Sequence, residues 1–291
     1  MQGISGKTIW AFWPLRFVVL FAATMGILFA NYFLISLWAT HRGALPRGLV
    51  LTIGAIIAVT ITILVYRLLV RWTEGRSASE LGKSGAFSLT VAGVVIGLFL
   101  FTAVFACLIL FGAASITGGG TTNDLMPQLA AAAMAAVGEE IIMRGVAFRL
   151  FEEGFGTTIA ILLSGALFGL LHAANPGATV ESTIAIAMEA GILLAAAYVL
   201  TRSLWFPIGL HFGWNFTEGG IFGTSVSGGK SATGLIATHV AGANYLTGGP
   251  FGPEASLPAV LVCLAAALVM LVLTAKRGNW KNLHARWMTA D

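Results

Sequence analysis

The chain repeatedly presents uninterrupted apolar runs longer than the roughly 18 residues that mark a bilayer crossing, among them 15–38, 48–70 and 87–113. A backbone that crosses lipid has to satisfy its own N–H and C=O groups, so such runs fold as helices or as strands of a closed barrel. Strand-like alternation is missing from them. That leaves an all-α fold, a polytopic transmembrane helical bundle. Composition agrees, with 57% apolar and 10% charged residues and a mean hydropathy of +0.89, where soluble domains carry about a quarter charged residues.

Hydropathy and breakers predict about eight spans, at 15–38, 48–70, 87–113, 125–150, 157–174, 182–201, 204–218 and 257–275. The fourth carries charges and the seventh is short. Residues 1–291 read as a single membrane domain, with a Gly-rich loop before the last span. The run from Leu15 to Trp38 exceeds the roughly 7–15-residue core of a cleaved signal peptide and is expected to stay as the first span. Cys107 and Cys263 lie inside apolar runs and read as small buried side chains rather than a disulfide or metal site.

The net charge of +4 does not indicate nucleic acid, because the basic residues fall in short clusters between apolar runs. Such clusters set topology, since Lys and Arg accumulate on the cytoplasmic side. With both termini in the cytoplasm, 13 of the 16 Lys and Arg lie there and only Arg42, Arg47 and Lys230 lie outside. The expectation is therefore a multi-pass protein of the cell membrane, its partners the lipid bilayer and a peptide or membrane-protein substrate. Two connections stand out. Residues 71–86 are polar and basic, with a short interfacial turn expected near Ser79–Leu81, and residues 219–256 form a loop long enough to be a lid or a plain surface loop. No internal repeat or matched pair of broken helices marks a transporter.

Ionisable residues inside spans are costly unless paired or hydrated, and so mark function. Three groups satisfy that description: Glu139 and Glu140 with Arg144 on the fourth segment, His172 ending the fifth, and His211 with Asn215 on the seventh. Glu140 and Arg144 are i, i+4 and share a face, whereas Glu139 is turned by about 100° onto the neighbouring face beside Ala135 and Ala136. Phe168 and His172 repeat the i, i+4 spacing, so the phenyl ring can pack on the imidazole; His211 and Asn215 repeat it again. Glu189 and Glu218 read as water-facing or structural, and His41, His239 and His284 as solvent-exposed.

One carboxylate, two imidazoles and an amide converging from three helices would suit hydrolysis of an amide without a Ser or Cys nucleophile. With Glu140 held by Arg144, Glu139 takes a proton from water and His172 shares it; His211 and Asn215 donate to the oxyanion. A metal version uses the same residues: Glu139, His172 and His211 are a ligand set for catalytic zinc. No HExxH is present. On the residues alone both versions stay open, as does a purely structural reading of each group taken singly.

In that order and within about eighty residues, the EExxxR of Glu139–Arg144, the FxxxH of Phe168–His172 and the HxxxN of His211–Asn215 resemble the signature motifs of the CAAX protease and bacteriocin-processing intramembrane endopeptidases. The resemblance covers residues 125–220 and centres on the motif-bearing helices 125–218. It implies an eight-helix membrane fold with a cavity open towards the cytoplasmic leaflet. It also implies Glu139 as the base, His172 as the water-activating histidine, and His211 with Asn215 as the oxyanion pair, with Glu140, Arg144 and Phe168 in support. Whether zinc takes part is open in that family. The implied activity is peptide-bond hydrolysis, of the CAAX type or of a bacteriocin-like peptide, in a bacterial setting. The tail WMTAD itself carries no CAAX cysteine. A non-catalytic immunity or scaffold protein of the same fold is the alternative.

Overall fold

The computed structural model describes residue 10, residues 12–231 and residues 233–281. Lys7, His284, Arg286 and the WMTAD tail lie outside the described residues. The apolar runs are helices. Helix α1 spans Trp13–Thr40 and α2 spans Arg47–Glu74, the latter closed by Gly75 at φ 67°, a left-handed cap that suits glycine. The expected turn follows as one 3₁₀ turn at Ser79–Leu81. Helix α3 spans Ala86–Leu110 and ends three residues before the apolar run does, because the chain leaves it for strand β1, Ala114–Gly119. Strand β1 pairs antiparallel with β2, Ile236–Val240, a small sheet that hydropathy did not announce.

Helix α4, Leu125–Glu140, continues through a π-helical stretch, Ile141–Phe148, into α5, Arg149–His172. Leu125–His172 is thus one helical stretch of 48 residues, and its regular geometry fails at Gly156, with φ 78° and ψ 172°. Helix α6, Val180–Ile186, starts at a capping box between Thr179 and Ser182 and runs through π-helical Ala187–Gly191 into α7, Ile192–Thr201. Helix α8, Trp205–Asn215, ends in a third π-helical stretch, Phe216–Ile221. After the short α9, Asn244–Thr247, helix α10 runs from Leu257 to Lys276, capped by the Ser256 hydroxyl.

Among the described residues, six helical stretches are long and apolar enough to cross a membrane: Trp13–Thr40, Arg47–Glu74, Ala86–Leu110, Leu125–His172, Val180–Thr201 and Leu257–Lys276. They turn large apolar side chains outward, Phe29 and Phe99 among them, as lipid-facing surfaces do. The protein is a polytopic membrane protein built as a helical bundle. Helix α8 sits inside it, almost wholly buried. It lies against α3 backbone to backbone: a Cβ on Gly93 or Gly97 would strike the carbonyls of Phe206 and Leu210, and one on Gly209 or Gly213 those of Thr90 and Val94. Small residues permit this approach, and it fixes the height and rotation of α8.

The two ends of the bundle are built differently. At one, a belt of ion pairs ties helix ends together: Arg16 to Glu153 at 2.5 Å, Arg76 to Glu80 at 2.8 Å, Arg149 to Glu74, and Arg202 and Lys281 to Glu152 at 2.7 and 2.9 Å. Tyr66 donates to Glu80, and the Trp205 indole to the Gly82 carbonyl at 2.9 Å. Burial alone would raise the Glu80 carboxyl, but the bonds from Arg76 and Tyr66 hold it below the ordinary carboxylate range. At the other end lie the sheet, the turn after α5 and the segment between α8 and α10. There Asn175 donates to the Ser227 carbonyl at 3.0 Å, and the Thr233 N–H to Asp124 at 3.1 Å.

Candidate active site

Glu139 and Glu140 are the last two residues of α4, immediately before the π-helical stretch that holds Arg144. Glu140 and Arg144 are fully buried and paired at 2.8 Å. The guanidinium is anchored twice more, donating to the carbonyls of Ala190 and Gly191 at 3.1 and 3.0 Å, and it lies 5.0 Å above the Phe168 ring. An unpaired buried guanidinium would be very costly; here a carboxylate, two carbonyls and an aromatic face surround it. Those carbonyls belong to the second π-helical stretch, and the third begins just after Asn215. Each of the three wide turns therefore borders the site, a common location for such turns.

The two imidazoles are held by their Nδ1 atoms. His172 Nδ1 donates to the Phe168 carbonyl at 2.8 Å, with the Phe168 ring packed 4.5 Å from the imidazole, so the neutral ring keeps its lone pair on Nε2. His211 Nδ1 lies 3.1 Å from Glu140 Oε1. Both Nε2 atoms then face Glu139, whose Oε2 is 3.8 Å from that of His172 and 3.9 Å from that of His211. These gaps exceed a direct hydrogen bond, but each can be bridged by one water within about 2.8 Å of both atoms. Glu139 Oε2 is itself buried and has no hydrogen-bond partner among the described residues. A buried carboxylate oxygen without a donor is an open position for one.

A cavity of about 300 Å³ receives Glu139, His172 and Asn215 on its wall, together with Tyr32, Gln128 and Ala135. A small inner pocket of about 20 Å³, enough for one water, continues from it between His172, His211 and Asn215. The structure thus brings together Glu139, Glu140, Arg144, Phe168, His172, His211 and Asn215. His41 and His239 are exposed and lie elsewhere.

Sequence reasoning missed three parts of the site. The bond between Glu140 and His211 joins two helices and has no counterpart in local spacing. The Gly-rich segment after α8 is a wall of the chamber, contributing Thr224, Val226, Ser227 and Lys230. Its bend is made by Gly228, at φ 74° and pressed against the Pro176 carbonyl. Lastly, Glu189 and Glu218 are both buried, and with Glu254 they form a carboxyl cluster, of which Glu189 and Glu254 line the inner pocket beside His172 and His211. Glu254 accepts from the Ser227 N–H at 2.7 Å, its own N–H lies 3.4 Å from Glu218, and burial raises its carboxyl above the ordinary range. The signal available in the sequence was the scarcity of acids near these helices.

Ligand atoms around tetrahedral zinc lie about 3.3 Å apart when each is about 2 Å from the metal, so separations of 3.8 and 3.9 Å are too wide. Among the described residues no three His, Cys, Asp or Glu side chains are arranged to hold a metal ion. As placed, Glu139, His172 and His211 do not fit a zinc shell.

A family model described as Type II CAAX prenyl endopeptidase Rce1-like matches residues 121–217, the stretch that contains every residue of the motif set. No curated protein and no solved structure matches the chain. A matched segment that holds buried Glu–His pairs around a cavity is a protease-like active site. Residues 121–217 are thus similar to the Rce1-like type II CAAX prenyl endopeptidases over the stretch that carries the site.

Proposed function

We propose that the protein is an intramembrane endopeptidase that activates water with Glu139 and His172 and stabilises the oxyanion with His211 and Asn215. The observation that carries this reading is the placement of Glu139 Oε2 at 3.8 and 3.9 Å from two imidazole Nε2 atoms, on the wall of a cavity of about 300 Å³. Water between them gives a proton to Glu139, with the His172 Nε2 lone pair as the second acceptor, while its oxygen attacks the scissile carbonyl carbon. Glu140 takes the Nδ1–H of His211, so an Nε2 proton makes that ring an imidazolium. It then donates to the developing oxyanion beside the Asn215 amide. Collapse of the tetrahedral intermediate breaks the C–N bond, and the stored proton passes to the leaving amine. A new carboxylate and a new amine result. No step passes through a metal ion.

The substrate is a peptide or a membrane-protein segment, in a CAAX-type or bacteriocin-type processing reaction. The family description favours the first, which names prenylated CAAX chains as the substrates of the matched family. We further propose that residues 1–291 form a single membrane domain of eight spans, with 125–218 carrying the catalytic groups and both termini cytoplasmic. Gly156 divides Leu125–His172 into two of those spans, since 48 residues of helix at about 1.5 Å each are more than twice the hydrocarbon thickness. Reconstituted protein tested on a peptide library decides the matter: cleavage should vanish in Glu139→Ala, His172→Ala and His211→Ala. Cleavage that persists in all three ends the assignment, and intact cellular function with Glu139→Gln points to the immunity or scaffold role instead.

A further inference from the structure

The charge asymmetry of the bundle, combined with the direction in which the chamber opens, fixes the compartment of the substrate. The ion-pair belt end carries Arg16, the basic residues of 67–83, Arg149, Arg202 and the basic run 276–281. The opposite end carries Arg42, Arg47 and Lys230 among the described residues. Orientation in a membrane follows the count of Lys and Arg in short connections and is little affected by Asp and Glu, so the pairing of several belt arginines with carboxylates does not weaken the bias. The belt is the cytoplasmic end.

The chamber opens at the other end. Asn175 in the turn after α5 and Thr224, Val226, Ser227 and Lys230 after α8 line it there, and Lys230 is exposed. The belt side of α8 is closed: Trp205 is bonded to Gly82 there, and the ten-residue rise to Asn215 is about 15 Å of buried helix. Glu139, on α4, has its oxygen on the same cavity.

We infer that the chamber is entered from the non-cytoplasmic side of the membrane, so that its substrates are exported peptides or membrane-protein segments presented at that face. It departs from the cytoplasmic-leaflet opening that the family resemblance implies. It rests on the endopeptidase reading for the word substrate, but the direction of the opening stands without it.

The test is cysteine accessibility in the full chain, with Cys107 and Cys263 replaced by alanine and charges left untouched. Ser231→Cys reports the chamber mouth and Ser84→Cys the belt; both positions are exposed. In spheroplasts of an expressing bacterium, a membrane-impermeant maleimide should label the Ser231 position, and the Ser84 position only after permeabilisation. Asn123→Cys and Ser77→Cys read the same two ends and should give the same split. A reversed split, or equal labelling of both ends in intact spheroplasts, overturns the inference. Labelling needs no turnover, so Glu139→Gln should give the wild-type split. Absent cleavage therefore counts against the protease reading alone, and a reversed split against this one alone.

Discussion

His211 turns its Nδ1 atom to Glu140 Oε1 at 3.1 Å, and that one contact ties the buried Glu140–Arg144 ion pair to an imidazole that lines the inner pocket. Glu140 already holds Arg144 on the same oxygen at 2.8 Å. Its carboxylate therefore fixes a guanidinium in its own helix and an imidazole in another.

Glu140→Gln should damage both stability and turnover. Leaving Arg144 buried without its countercharge costs roughly 3–5 kcal/mol, read as a lower melting temperature in detergent. The His211 ring loses the acceptor that orients it, and kcat should fall by roughly 10–100-fold in whatever protein remains folded. A Glu140→Gln enzyme of wild-type stability would show that the pair is dispensable.

Glu139→Gln should behave in the opposite way. Among the described residues Glu139 makes no direct hydrogen bond, its nearest imidazole nitrogen being 3.8 Å away. The melting temperature should stay within about 1 kcal/mol of wild type in stability, the ordinary scale for substitutions that break no buried network, while cleavage is lost. Peptide hydrolysis and thermal unfolding measured on the same preparation separate the two glutamates.

Asn215→Ala should lower kcat by about 10²–10³ with little change in KM, the pattern for a donor that acts on the oxyanion and not on the bound substrate. A rise in KM at unchanged kcat would move Asn215 from the transition state to ground-state binding.

Chelators should leave cleavage intact, because the spacing of Glu139, His172 and His211 does not suit zinc. Activity abolished by a chelator and restored by zinc, with one zinc per chain by elemental analysis, would refute the metal-free scheme.

Gly97→Ala should destabilise by about 1–3 kcal/mol through overpacking, since its new methyl group meets the Leu210 carbonyl one residue before His211. Gly26→Ala, which meets nothing within 4 Å, is the matched control. It should be neutral or gain up to about 1 kcal/mol from helix propensity.

The belt sets the acid limit of the fold. The folded pKa of Glu80 is depressed, so its contribution is fully present above the unfolded glutamate value of about 4.3 and disappears as pH falls through the lower folded value. Glu80→Gln should be less stable than wild type at neutral pH, and the difference should shrink as the pH drops below about 4. Melting curves across that range in detergent provide the check.

What the sequence made readable, and what it hid, follow one physical division. The i, i+4 pairs of Glu140 with Arg144 and of Phe168 with His172 are consequences of helix geometry, so spacing sufficed to foresee them. Residues 125–150 and 157–174 were expected as separate segments, and the helix breaks between them at Gly156, whose positive φ no other residue type adopts as readily. The π-helical turns leave no mark in composition. The bond between Glu140 and His211, the carboxyl cluster of Glu189, Glu218 and Glu254, and the docking of the segment after α8 are all tertiary. No window of neighbouring residues encodes them.

That Gly-rich segment has a consequence for how specificity can change. It supplies Thr224, Val226, Ser227 and Lys230 to the chamber, while the groups that handle the proton and the oxyanion stand on helices locked by glycine contacts and a buried ion pair. On the proposed reading, recognition and chemistry are thus written on different stretches of polypeptide. Exchanging residues 223–231 for another sequence would retune which peptides are admitted and leave the hydrolytic apparatus as it is, much as a new mould can be fitted to an existing press.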